Sequence, residues 1–242
     1  MAELVYRPVI GFARTLFKAW DLKIDCQGSE NIPRTGGAVL VSNHISYLDF
    51  VFAGLAARPQ KRLVRFMAKD SVFRHKISGP LMRGMRHIPV DREQGEAAYE
   101  HALNSLRSGE VVGIFPEATI SQSFTLKGFK TGAARLAQDA GVPLVPVALW
   151  GTQRLWTKGQ PRNFKRSHIP ITIRVGEAVE AARDQYAGVL TRRLRERVQE
   201  LLEAAQRAYP VRPKGPEDTW WVPAHLGGTA PTQEALRAAE AR

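Results

Sequence analysis

Plotted at about 100° per residue, residues 2–20 place Val5, Val9, Phe12, Leu16 and Trp20 on one stripe. Arg7, Arg14 and Lys18 fall opposite, with Ile10 and Phe17 on a flank. This pattern predicts a basic amphipathic helix, with Pro8 as a point where it can kink. Such a helix fits a membrane interface, and it equally fits packing on the domain by the same stripe. From about residue 36 the pattern changes. Short apolar runs at 38–41, 63–67, 111–115, 142–149 and 171–175 read as buried strands. They alternate with helical stretches at 49–57, 94–107 and 131–140, the last two stopped by Gly109 and Gly141. This alternation predicts an α/β fold with a mainly parallel central sheet flanked by helices, where chemistry gathers at the carboxyl ends of strands.

A long helix is expected over 184–209, with Leu190, Leu194, Val198, Leu201 and Ala205 on one side. Its arginines alternate with glutamates, as on a solvated face. After Pro210 the chain turns rich in Pro, Gly and Thr, which reads as an extended wrap ending in a short helix, with Trp220 and Trp221 docked on the core. The expected organisation is a helical N-terminal segment at 1–27, an α/β domain at 28–209 and a tail at 210–242.

Composition narrows the functional classes. Among 242 residues, 44% are hydrophobic and 24% charged, which excludes wholesale disorder. The single cysteine, Cys26, rules out an internal disulfide framework and a four-cysteine zinc site. Lys+Arg 35 against Asp+Glu 23 gives a net charge of +12, so an anionic partner is expected. Nucleic acid fits poorly, because the basic residues are scattered and no recognition module is present. No secretory signal pattern and no continuous apolar stretch of about twenty residues is seen. The expectation is a cytoplasmic-face protein, soluble or lying peripherally on a membrane.

Serine-hydrolase elbows, zinc-peptidase helices, P-loops and dinucleotide fingerprints are all missing from the sequence. What remains lies at strand ends. Asn43-His44 follows the first apolar run, and Asp49 comes five residues after His44, at the entry to a helix. The two side chains can meet across that turn as a dyad, the carboxylate fixing the imidazole tautomer. They also fit a helix N-terminal acid and a loop histidine. A second strand runs into Phe115-Pro116-Glu117-Ala118-Thr119-Ile120-Ser121, where Glu117 and Thr119 either hold a substrate or brace the loop. A third element, residues 88–92, ends in Arg92, which suits a phosphate or a surface ion pair. The fourth, Val145-Pro146-Val147, reads as a core strand.

In this order the elements resemble the blocks of the glycerophospholipid acyltransferase family, specifically the 1-acylglycerol-3-phosphate acyltransferases, over about residues 28–180. The family's NHxxxxD block matches Asn43, His44 and Asp49. Its arginine-ended block resembles residues 84–92, its FPEGTRS block residues 115–121, and its VPV block residues 145–147. The Ala68-Lys69 pair looks like the lysine ahead of the second block. The resemblance implies acyl transfer from acyl-CoA or acyl carrier protein to a lysophospholipid hydroxyl, with His44 as base, Asp49 orienting it and no covalent intermediate. It implies substrate contacts from Asn43, Lys69, Arg92 and residues 115–119 (Phe115, Pro116, Glu117, Ala118 and Thr119), no metal and no resident cofactor. It also implies an anionic membrane surface as partner. One departure stands out: Ala118-Thr119-Ile120 replaces Gly-Thr-Arg. Ile120 cannot supply a phosphate fork, so Lys127 and Lys130 are the expected substitutes. Otherwise the acceptor is a lipid lacking a phosphomonoester, or the chain binds lipid without catalysis.

Overall fold

In the computed structural model, which describes residues 2–91 and 95–240, seven strands form one sheet. They are β1 (Lys23–Gln27), β2 (Ala38–Ser42), β3 (Val64–Lys69), β4 (Ile88–Val90), β5 (Val111–Ile114), β6 (Leu144–Trp150) and β7 (Pro170–Val175). Their order is β1-β7-β6-β2-β5-β3-β4, parallel throughout except at the β6–β7 pair. The five strands from β6 to β4 therefore share one direction, and their carboxyl ends lie along one edge of the sheet.

Burial on both faces explains why the strands read as continuous apolar runs. In β2, Ala38 and Leu40 enter one core cluster while Val39 and Val41 enter the cluster on the opposite face. The first cluster is covered by α1 (Ala2–Ala19) and α2 (Asp49–Ala56) through Phe17 and Phe52, whose rings stack at 4.9 Å. The other face is covered by α5 (Gly95–Arg107), α6 (Gly132–Ala140) and α7 (Ala187–Arg207). The short helices α3 (Asp70–Arg74) and α4 (Ser78–Gly84) fill the connection between β3 and β4. Each large side chain buried in these clusters contributes about 1.5–3 kcal/mol.

Several expectations are corrected here. Residues 23–27, read as part of a helical segment, form β1, an edge strand paired with β7 in register Lys23 to Pro170. Its exposed edge position removes the apolar signal. Helix α1 runs unbroken through Pro8, and Val5, Val9 and Trp20 of the stripe read from the sequence pack partly buried on the core, with the stripe rotated so that Phe12 leaves it. Tyr6 and Phe17 are buried, whereas Phe12 is 66% exposed. Tyr6 selects the orientation: its hydroxyl donates to the Val64 carbonyl at 2.7 Å, and Arg65 lies over its ring. In α7 the core position is Leu202, with Leu201 only partly buried. The tail includes α8 (Gln233–Glu240), and Trp221 docks between Tyr209 and Arg154, as the core-docking reading anticipates.

Candidate active site

The turn after β2 holds a dense polar network. His44 Nδ1 lies 3.0 Å from Asp49 Oδ2. The same oxygen accepts the backbone N–H groups of Ile45 at 2.6 Å and Ser46 at 2.7 Å, and Oδ1 accepts the Thr152 hydroxyl at 2.6 Å. Asp49 is fully buried, and these four donors offset the cost of taking a carboxylate out of water. Oδ2 faces the ring as an acceptor, so in the neutral imidazole this contact puts the hydrogen on Nδ1 and the lone pair on Nε2. The His44 side chain is 21% exposed, and its imidazole stacks on the Phe115 ring at 4.3 Å.

The loop after β5 grips this turn from below. Glu117 Oε1 accepts the His44 N–H at 2.8 Å, and Oε2 accepts the Lys127 N–H at 3.0 Å. Ser121 N–H donates to the His44 carbonyl at 2.7 Å. Burial pushes the Glu117 carboxyl up to about 7 against the pull of those two backbone donors. A third segment closes the turn from the β6 side. The Trp156 carbonyl accepts the Ser46 hydroxyl at 2.7 Å, and the Thr157 hydroxyl donates to the Ile45 carbonyl at 2.7 Å. The backbone on both sides of His44 is thus tied to two neighbouring strand ends, which fixes the imidazole more tightly than its own loop can.

Three residues expected on the substrate have hydrogen-bond partners within the protein. Asn43 is buried, with Oδ1 accepting the Leu149 N–H at 2.7 Å and Nδ2 donating to the Leu149 carbonyl at 3.0 Å. Its amide locks the end of β2 to β6. Glu117 is committed to backbone on both oxygens, and Pro116 is buried while its carbonyl accepts the Lys130 N–H. Phe115 reaches the site through its ring, Thr119 is exposed, and Lys127 Nζ donates to Thr119 Oγ1 at 2.9 Å and to the Ile120 carbonyl at 3.2 Å. Lys69 and Lys130 are exposed, Lys69 at the carboxyl end of β3 on the same sheet edge. Arg92 lies outside the described residues. Thr152 and Trp156 lie outside the motifs read from the sequence; the one signal for Thr152 is a hydroxyl following glycine at the end of a buried strand. No cluster of three His, Cys, Asp or Glu side chains among the described residues converges as a metal site.

Ala118 has a φ of +61°, a left-handed conformation that costs a residue with a Cβ about 1 kcal/mol. Ala118→Gly is expected to raise stability by about 0.5–1 kcal/mol and the unfolding midpoint by roughly 2–3 °C. Thermal unfolding of the two proteins checks this, and an unchanged or lower midpoint removes strain at this loop from the account.

Known proteins are similar to this chain over the region that holds the turn. A family model described as Acyltransferase matches residues 23–150. The 1-acyl-sn-glycerol-3-phosphate acyltransferase of Bacillus subtilis is 31% identical over 165 residues, covering 63% of this chain and 80% of that protein. Its namesake in Borreliella burgdorferi is 31% identical, with 57% and 55% covered, and the chloroplastic LPAT1 of Arabidopsis thaliana is 31% identical, with 62% and 42% covered. The chain thus spans about half the length of these last two. In fold it is similar to the crystal structure of the 1-acyl-sn-glycerophosphate (LPA) acyltransferase PlsC from Thermotoga maritima, with a TM-score of 0.69 at 23% identity over 87% of this chain and 83% of that one. The matched model spans more than half of the chain and includes the His44–Asp49 turn and the Glu117 loop that braces it, so this protein belongs to the acyltransferase family.

Proposed function

We propose that this chain transfers a fatty acyl group from acyl-CoA or acyl carrier protein to the free hydroxyl of a lysophospholipid, with 1-acylglycerol-3-phosphate as the acceptor. The observation that carries this reading is the Nδ1–Asp49 contact, which leaves Nε2 of a partly exposed imidazole as a base. In the proposed step the acceptor hydroxyl gives its proton to His44 Nε2 as its oxygen bonds to the thioester carbonyl carbon. The tetrahedral intermediate then expels the thiolate, and the imidazolium returns the proton to sulfur. Asp49 stays an anion throughout and stabilises the imidazolium. No covalent acyl-enzyme is formed, so no nucleophilic side chain is needed.

A lipid acceptor places the site at a membrane surface. Leu4 and Phe12, 75% and 66% exposed on α1, with Arg7, Arg14 and Lys18 on the same helix, support a peripheral, cytoplasmic-face placement on anionic lipid. No helix among the described residues is long and apolar enough to cross a membrane. The test is an acceptor panel with labelled acyl-CoA: lysophosphatidate, 1-monoacylglycerol, lysophosphatidylcholine and a glycolipid. Lysophosphatidate is expected to yield labelled phosphatidate at the highest rate. Acylation confined to acceptors without a phosphomonoester overturns the acceptor, and no acylation of any acceptor, with the panel repeated on labelled acyl carrier protein, overturns catalysis.

A further inference from the structure

Helix α8 belongs to a part of the chain beyond the matched family region, yet it reaches the loop that braces His44. Gln233 Nε2 donates to Thr125 Oγ1 and to the Leu126 carbonyl, both at 2.8 Å, pinning the helix against residues 120–127. Between them lies a cavity of about 250 Å³, bordered by Thr119 and Ile120. Lys127, Lys158 and Arg237 line it from three separate segments, against one carboxylate, Glu240, leaving a local charge of +2 (three cations minus one anion). None of the three cations forms an ion pair among the described residues. Three cations around one small cavity repel each other, and an anion of matching size relieves that repulsion. The loop wall is anchored to the His44 turn through Ser121 N–H on the His44 carbonyl, and Lys158 follows Thr157, whose hydroxyl donates to the Ile45 carbonyl.

We propose that Lys127, Lys158 and Arg237 form an anion subsite that takes a phosphate group of one of the two substrates, so that the C-terminal helix contributes directly to substrate binding. This rests on the acyl-transfer reading for the identity of the substrates. The chemistry is shared by the phosphomonoester of the acceptor and the phosphates of a CoA donor. Lys158 and Arg237 are exposed, so their replacement leaves the core untouched.

Calorimetric binding of short-chain lysophosphatidate and of CoA to wild type, K158Q/R237Q and R237K separates the sources. The double variant is expected to lose about tenfold or more in affinity for one of the two ligands, while R237K keeps most of it. Loss for lysophosphatidate, with a matching rise in its KM, assigns the subsite to the acceptor; loss for CoA assigns it to the donor. Affinities within twofold of wild type for both ligands overturn the subsite. Because binding is read without turnover, a wild-type protein that binds either ligand yet transfers no acyl group defeats the catalytic reading and leaves the subsite standing.

Discussion

His44→Ala is expected to lower acyl transfer from acyl-CoA to lysophosphatidate by about 10²–10⁴-fold while the protein stays folded. The imidazole is the only part of the residue that the proposed chemistry uses. Its backbone N–H still reaches Glu117 and its carbonyl still accepts Ser121, so the turn persists without it. What is lost in stability is one hydrogen bond and a ring stack, together about 1–2 kcal/mol. Asp49→Asn is expected to approach the same loss in rate by a different route. An amide can keep Nδ1–H and both backbone N–H groups on its oxygen, with its N–H₂ turned to the Thr152 hydroxyl, but it carries no charge to stabilise the imidazolium. The proton taken up by Nε2 in the proposed step then has no carboxylate to stabilise it, and transfer slows. Initial rates with circular dichroism and thermal unfolding on the same samples decide the matter. A rate within threefold of wild type for His44→Ala removes His44 as the base.

The His44–Asp49 contact was legible because both residues sit within one turn, and five residues of separation at a strand-to-helix junction is enough to bring the side chains together. What completes the site was not legible, for a reason of distance along the chain. Thr152 lies 103 residues from the carboxylate it donates to, and Trp156 lies 110 residues from Ser46. Those contacts follow from β6 sitting beside β2, a fact of sheet order that alternation of strands and helices leaves open. Polar motif residues also have tertiary partners that the sequence leaves open. Asn43 and Glu117 have side chains suited to binding a ligand, yet the backbone donors and acceptors at two strand ends claim them first. The same competition between local pattern and tertiary partner appears in α1, where the contact of Phe17 with Phe52 turns the helix so that Phe12 faces outward.

Glu117→Gln probes the brace, and its effect is expected in two measurements. A glutamine can satisfy only one of the two backbone N–H groups, because its other terminal atom is itself a donor. An unsatisfied buried donor costs about 1–3 kcal/mol, and if that cost is expressed as misplacement of His44 the turnover falls by up to about 10²-fold. The second signature lies in pH. Burial raises the Glu117 carboxyl from its ordinary 4.5 to about 7, so the folded protein holds this proton more tightly than the unfolded chain does. The stability contributed by that proton is fully present below pH 4.5 and is lost as pH rises through about 7, a change of roughly 3 kcal/mol. Glutamine carries no such proton. The stability of wild type relative to Glu117→Gln is therefore expected to decline from pH 4.5 to 8, as read by urea unfolding at several pH values across that range. Parallel stability curves for the two proteins, with equal turnover at pH 8, show that the carboxyl neither titrates in this window nor holds the His44 turn in place.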